Sequence, residues 1–426
     1  MINRHFKINT LITYASNAIV MGSGFILMFM INRFAGVNTY GELAIIISTA
    51  GILVSLVTAR SGEAVTRFFV REKALGNMQN AKLVVLIGLC IDFILGIFLF
   101  FFFYLLSDFI ANKFLDNPAS SYSVWIYGFI TLLTFVRGSM KGYFQSHEYF
   151  KVLNSIQVLE SILKVIFLLF SFFVLKNVDI NFIIYSYILA SFLVTLYIMI
   201  IFSIRFFREF KEVKLKIDID LVKEYFSFNM KTFFSTTLSS LNNGIDNILL
   251  GYFTDTKTVG IYQTLKNILS PTSFISAPFE MMTVSKLTKF YDKKQFKDFI
   301  NIIQKITILI FFINIIILSI IFYFLTDILS YFSIYEVLYI EFILYAIAVM
   351  IKRSIWWNNI VMNLYNPLII GYQSLIFFIS FLSIIFIMSV FMQITFIHII
   401  FSSLISSLMM VMISYIVLKK ITRWKY

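Results

Sequence analysis

The sequence predicts an all-α, polytopic membrane fold of twelve transmembrane helices in two pseudo-symmetric six-helix lobes, and three observations carry that expectation. Hydrophobic residues make up 60% of the 426-residue chain, 51 residues are Phe, and only 13% are charged; soluble domains carry about a quarter charged residues. The apolar residues fall in continuous runs of roughly 20, the length a helix needs to cross a hydrocarbon core about 30 Å thick. Alternation over about ten residues, the mark of a transmembrane barrel, is not seen. One pattern is also written twice: FAGVNTYG, ending at Gly41, and FTDTKTVG, ending at Gly260, so that Phe34, Thr39 and Gly41 recur in frame as Phe253, Thr258 and Gly260. The offset is close to half the chain, as expected of a duplicated half.

Taken in order, the runs place spans at 9–32, 40–60, 83–106, 122–142, 152–175 and 180–204 in the first lobe. The second lobe repeats the scheme at 227–253, 258–285, 302–325, 333–351, 365–390 and 394–418. Residues 1–204 form the N-terminal lobe, the charge-dense stretch 205–226 is a linker, and 227–426 form the C-terminal lobe. Six is even, so both lobes enter the bilayer from one side and repeat in parallel about an axis along the membrane normal, with a cleft between them. The start MINRHFKINT is basic but runs into a full span without a small-residue cleavage site, and reads as retained.

Orientation follows from the basic residues. Lys and Arg concentrate in the N-terminus, the even-to-odd connections and the C-terminus, whereas Arg33, Lys113, Lys176 and Lys257 fall in the opposite loops. Positive loops stay inside, so both termini are expected in the cytoplasm. The formal charge of +13 is then topogenic, which excludes nucleic-acid binding as its purpose and favours contact with anionic membrane lipids. Two corresponding segments, RFFVREKALGN after span 2 and KLTKFYDKKQF after span 8, read as basic amphipathic stretches on that surface. Trp125, Trp356, Trp357 and Trp424 all fall at span ends, where indole rings favour the interface. With the lone Cys90 and three His, no disulfide and no metal cluster is expected, and no cofactor is implied.

Polar residues within spans need a reason, since a charge at the helix centre costs about 2.5–3.5 kcal/mol on insertion scales. Span 5 carries Asn154, Gln157, Ser161 and Lys164 on one face, with Glu160 placed to pair with Lys164 at i,i+4. Span 7 carries Ser235, Ser239, Asn242 and Asp246, and span 8 carries Gln263, Lys266, Ser270 and Ser273. Asp246 precedes the outer-turn Asp255 by as many residues as Lys266 follows Lys257, so both reach similar depth on adjacent antiparallel helices and can meet as an ion pair. Such a pair serves equally as a buried bridge or as a site that holds an anion or switches on protonation. Pro271 and Pro278 make span 8 the expected bending element. Asp92, in span 3, lacks a sequence-local partner, so it is expected protonated, paired with a lysine from another span or exposed to a water-filled cavity, with a coupling-ion role as its functional reading. Arg60, Glu63 and Arg67 end span 2, and Arg137 and Lys141 end span 4; they read as snorkelling anchors or as a cationic vestibule for phosphate.

No phosphate-binding GxxxxGK[ST] loop, HExxH or GxSxG occurs, and no soluble segment is long enough for a catalytic domain, so no enzyme is expected. The runs GVNTYGELAIIISTAGILVSLVTARSGEAVTRFF, RGSMKGYFQSHEYFKVLNSIQVLESILKV and DNILLGYFTDTKTVGIYQTLKNI resemble the polysaccharide transporter family, the Wzx-type O-antigen and capsule repeat-unit flippases of the multidrug/oligosaccharidyl-lipid/polysaccharide (MOP) exporter superfamily. The resemblance implies a MATE-like bundle in the bacterial cytoplasmic membrane that flips an undecaprenyl-diphosphate-linked oligosaccharide by alternating access, coupled to a proton or sodium gradient, with a polysaccharide polymerase as partner. It also implies a cationic cavity. By charge and depth, and not by motif, Lys164, Lys266, Arg60 and Arg137 are the candidate lining, with Asp92, Asp246 and Glu160 as coupling or ion-pair candidates. The runner-up is a multidrug or cation exporter of the same superfamily, against which the two intramembrane lysines speak.

Overall fold

The computed structural model describes residues 4–57, 61–115, 117–240, 242, 244–366 and 368–423. All regular structure among them is helical. The first half comprises α1 (Arg4–Met30), α2 (Val37–Val57), α3 (Ser61–Ala74), α4 (Met78–Phe114), α5 (Ser121–Val136), α6 (Gly138–Ser146), α7 (Phe150–Leu169), α8 (Ile180–Glu209) and α9 (Ile219–Ser240). The second comprises α10 (Ile245–Phe253), α11 (Thr256–Ile268), α12 (Pro271–Asp292), α13 (Phe296–Tyr323), α14 (Leu325–Tyr331), α15 (Tyr339–Arg353), α16 (Asn358–Tyr365), α17 (Leu368–Phe391) and α18 (Phe396–Arg423). The chain divides into two compact units, Met1–Thr237 and Leu238–Tyr426.

Among the described residues, nine helical segments are long and apolar enough to cross a membrane. The stretches 227–253, 258–285 and 333–351 are not among them, because each is broken into shorter helices or carries the polar residues noted above. Exposed side chains support the membrane reading: Leu105, Phe207, Tyr323 and Phe391 are each more than 70% exposed, which suits lipid as the surrounding solvent.

In the first unit α4 runs along α5, and α3 crosses both α4 and α6. The α3–α6 crossing is backbone against backbone, since a Cβ on Gly142 would lie 2.3 Å from the Gly62 carbonyl oxygen. Small residues permit such approach, which supplies the packing that lipid cannot drive. At one end of this unit Phe68, Phe69, Tyr143, Phe144 and Tyr225 form a buried aromatic core. Tyr225 brings the start of α9 into that core, and its hydroxyl donates to the Ser61 carbonyl at 3.2 Å.

In the second unit α18 packs on α15 and α17, and α12 on α13. Trp356 and Trp357, expected at span ends, are both buried with Phe299, Val361 and Met362. The two indoles lie in the turn between α15, which ends at Arg353, and α16, which starts at Asn358. Trp424 lies outside the described residues.

The two turns of the repeat are built differently at one aligned position. Gly36 takes φ 93° before α2, whereas Asp255 stays extended and caps α11, its Oδ1 accepting from the Thr258 amide at 2.7 Å. Glycine relieves the left-handed strain and aspartate satisfies an orphan N–H; each starts the second helix of its lobe.

Candidate functional site

In the second unit the polar residues gather where two helices break. The chain resumes as α10 after Gly244, whose φ of 94° lies in the left-handed region, a conformation glycine adopts without a Cβ clash. Further on, α11 ends at Ile268 and Pro271 opens α12. Proline suits a first helical turn because its missing N–H would have no partner there. The expected bending element is thus two helices, with Pro271 at the joint and Pro278 inside the second.

The breaks leave α10 and α11 as a short hairpin with one charge at each broken end. Asp246 lies in the first turn of α10 and Lys266 in the last turn of α11, the positions where each sign is favoured by the helix dipole. Lys266 Nζ donates to Asp246 Oδ2 at 2.7 Å, and the Tyr262 hydroxyl donates to the same oxygen at 2.6 Å. A second tie joins the hairpin, from Asn247 Nδ2 to Gln263 Oε1 at 2.9 Å.

A cavity of about 260 Å³ opens on this pair, with Tyr345, Lys352, Phe377 and Ser407 in its wall. Tyr345, Val349 and Lys352 share one face of α15 at helical spacing. Lys352 is accessible, lies within electrostatic reach of Asp246 and Lys266, and has its ammonium 5.8 Å from the Phe377 ring centroid. Two lysines therefore face one carboxylate, a surplus of positive charge in a partly apolar chamber. Lys352 was not legible as a site residue because it falls just past the end of span 10, among charges that read as topogenic. Its register with Tyr345 was the available signal.

In the first unit Arg137, at the junction of α5 and α6, is 1% exposed. Its Nη1 donates to Glu160 Oε2 at 2.6 Å, Nη2 donates to Ser191 Oγ at 3.0 Å and to Thr134 Oγ1 at 3.1 Å, and Nε donates to the Leu133 carbonyl at 3.2 Å. Lys164 Nζ lies 3.0 Å from the other Glu160 oxygen and 5.1 Å from the Tyr187 ring centroid. Glu160 thus bridges two cations, and the structure joins three of the predicted residues in one cluster. Arg137 uses four of its five N–H donors on partners from three helices, while Lys164 remains the more accessible cation, its side chain 23% exposed. Of the same polar stripe, Asn154 Nδ2 donates to Thr13 Oγ1 on α1 at 3.0 Å.

Asp92 is 2% exposed and meets no cation among the described residues. It accepts from the Ser139 amide at 2.5 Å, at the start of α6, and from Ser61 Oγ on α3. A carboxylate at a helix N-terminus is favoured by the dipole and by the orphan N–H. Gly138 makes room for it, since a Cβ there would lie 2.9 Å from Oδ2. Asp92 therefore ties α3, α4 and α6 together. Arg60 lies outside the described residues, as do the side chains of Ser235 and Ser239.

The same architecture occurs in solved transporters. The chain is similar to an inward-facing multidrug resistance MATE family transporter of the MOP superfamily, at 11% identity over 95% of this chain and 96% of that one, with a TM-score of 0.77. It is similar to a MOP superfamily transporter from Pyrococcus furiosus Vc1, at 12% identity over 98% and 96%, with a TM-score of 0.67. An outward-facing MATE family transporter aligns at 11% identity over 96% and 97%, with a TM-score of 0.60. No curated protein matches the chain. The fold is MATE-like, with several helices long and apolar enough to cross a membrane. A family model described as polysaccharide biosynthesis protein matches residues 6–285, and the chain belongs to that family. The MatE model matches residues 232–375, a stretch that includes Asp246, Lys266 and Lys352.

Proposed function

We propose that the protein is a flippase that carries an undecaprenyl-diphosphate-linked oligosaccharide, a repeat unit of O antigen, capsule or another surface polysaccharide, from the cytoplasmic to the periplasmic leaflet of the bacterial cytoplasmic membrane by alternating access. The observation that carries this reading is the cavity in which Lys266 and Lys352 face the single carboxylate of Asp246. An excess of ammonium groups suits a diphosphate, to which lysine binds as a point charge. The volume of about 260 Å³ falls just below the roughly 300–1,000 Å³ of small-molecule sites, so it fits the linking group rather than the whole oligosaccharide. Membership of the polysaccharide biosynthesis family supports the same substrate class.

Outward movement of an anion is helped by a membrane potential negative inside, at about 2.3 kcal/mol per charge per 100 mV. Protonation of Asp246 would free Lys266 for the ligand, which makes this pair the place where a proton gradient can act. Lys164, beside Glu160 in the first unit, is the second candidate contact, and a polysaccharide polymerase is the partner that would use the product.

Replacing Lys266 by Ala should abolish surface polysaccharide with the protein still inserted, and Lys266→Arg should retain a part. Normal surface polysaccharide in the alanine variant would refute the reading. The second reading, export of cationic drugs, is favoured by the MatE match over residues 232–375. It predicts drug hypersensitivity with normal polysaccharide when the gene is deleted. For orientation, Asn117→Cys in a Cys90→Ala background should react with an impermeant thiol reagent from outside the cell; labelling only from the cytoplasm would reverse the topology.

A further inference from the structure

At the end of the first unit that the basic loops assign to the cytoplasm, a second cleft of about 680 Å³ lies against α6 and the end of α8, walled by Lys73, Tyr149, Ile204, Arg205, Arg208 and Glu209. Its charges are unevenly matched. Glu209 is already satisfied, with Lys73 Nζ at 2.6 Å and the Tyr143 hydroxyl donating at 2.5 Å. Lys73 Nζ and Glu209 Oε1 also share His147 Nε2, at 3.0 and 3.1 Å, and His147 Nδ1 lies 3.0 Å from the Tyr143 carbonyl. That leaves two guanidinium groups without a carboxylate among the described residues. Arg205 lies over Tyr149, its Cζ 4.0 Å from the ring centroid, and Arg208 is exposed.

The same helix leads an apolar stripe into these arginines. Leu196, Ile200, Ile204 and Phe207, at steps of three and four along α8, are 39%, 60%, 65% and 71% exposed. Apolar exposure inside a span faces acyl chains, and the stripe ends at Phe207, between the two arginines.

We infer that this cleft is a binding site for an anionic phospholipid, with its phosphate on Arg205 and Arg208 and one acyl chain along the α8 stripe. The site lies apart from the cavity assigned to the transported substrate. A phospholipid matches both halves of the surface at once, whereas free phosphate would leave the stripe unused. Guanidinium groups suit phosphate oxygens through paired N–H donors, and the inner leaflet supplies anionic headgroups.

The test uses the purified full-length chain in detergent, with retained phosphatidylglycerol and phosphatidylethanolamine counted by native mass spectrometry. Phosphatidylglycerol should be retained preferentially. Arg208→Gln, which removes no internal bond, should weaken it about fivefold, the loss expected of one basic residue at an anionic surface. Arg205→Gln with Arg208→Gln should weaken it further, and Arg205→Lys should restore most of the binding lost by Arg205→Gln alone. Unchanged phosphatidylglycerol binding in Arg208→Gln and in the double variant would overturn the inference. Equal displacement by inorganic phosphate at matched concentration would also overturn it, by identifying a free-phosphate site.

Discussion

Lys266 and Asp246 lie 2.7 Å apart, one in the last turn of α11 and the other in the first turn of α10, so a single ion pair closes the ends of two broken helices. Removing Asp246 leaves the lysine without its counter-charge at a helix end. Asp246→Asn should therefore lower stability by about 1.5–3 kcal/mol, the range for hydrogen bonds to charged groups, since the pair is only partly buried. Lys352→Gln, at an accessible residue, should stay within about 0.5 kcal/mol yet still reduce polysaccharide export. Melting curves in detergent and surface-polysaccharide assays read the two effects separately; a Lys352→Gln variant with full export would remove this lysine from the site.

Glu160 holds Arg137 and Lys164 together. Glu160→Gln should cost more than Lys164→Gln, because the first leaves two neighbouring cations facing one another, whereas the second leaves the Arg137–Glu160 bond at 2.6 Å intact. We expect about 3–5 kcal/mol for Glu160→Gln and about 1 kcal/mol or less for Lys164→Gln. Thermal denaturation of both variants decides the order.

The α3–α6 crossing gives a steric prediction. Gly142→Ala would press a methyl group against the Gly62 carbonyl, and should cost about 1–3 kcal/mol through overpacking. Gly51→Ala, in α2, meets nothing within 4 Å and should be neutral or stabilising by about 0.5–1 kcal/mol. Folded yield after solubilisation compares them.

Glu224 and Arg71 give a pH prediction. Hydrogen bonds from Arg71 at 2.6 and 2.9 Å hold the Glu224 carboxyl below its ordinary value of 4.5. A depressed carboxyl contributes stability above the ordinary value and loses it as pH falls through the lowered one. Acid destabilisation below pH 4.5 should therefore be shallower in Glu224→Gln than in the parent chain, and identical curves would show that the bridge contributes nothing.

How far these sites could be read beforehand depended on whether partners were near in sequence or depth. Glu160 and Lys164 are one turn apart, and Asp246 and Lys266 sit at matching depth around a recognisable turn, so each pairing followed from helix geometry. Arg137 joins Glu160 and Ser191 from three different helices, and no spacing encodes that meeting. Asp92 was conspicuous as a charge, but its partners are Ser61 and a backbone amide at the start of α6, a helix hidden inside an apparently continuous span. The expected spans across Asp246 and Lys266 hid their helix breaks for the same reason: hydropathy runs on past Gly244 and Pro271.

That interruption also sets what a bound anion would do. The stretch between Gly244 and Pro271 has a helix break at each end and its own internal staple, and the ammonium that forms the staple is the one offered to the cavity. A ligand that takes Lys266 competes with Asp246 for it, so by linkage occupancy loosens the hairpin to the same extent that a locked hairpin weakens binding. Load and lever would share one bolt.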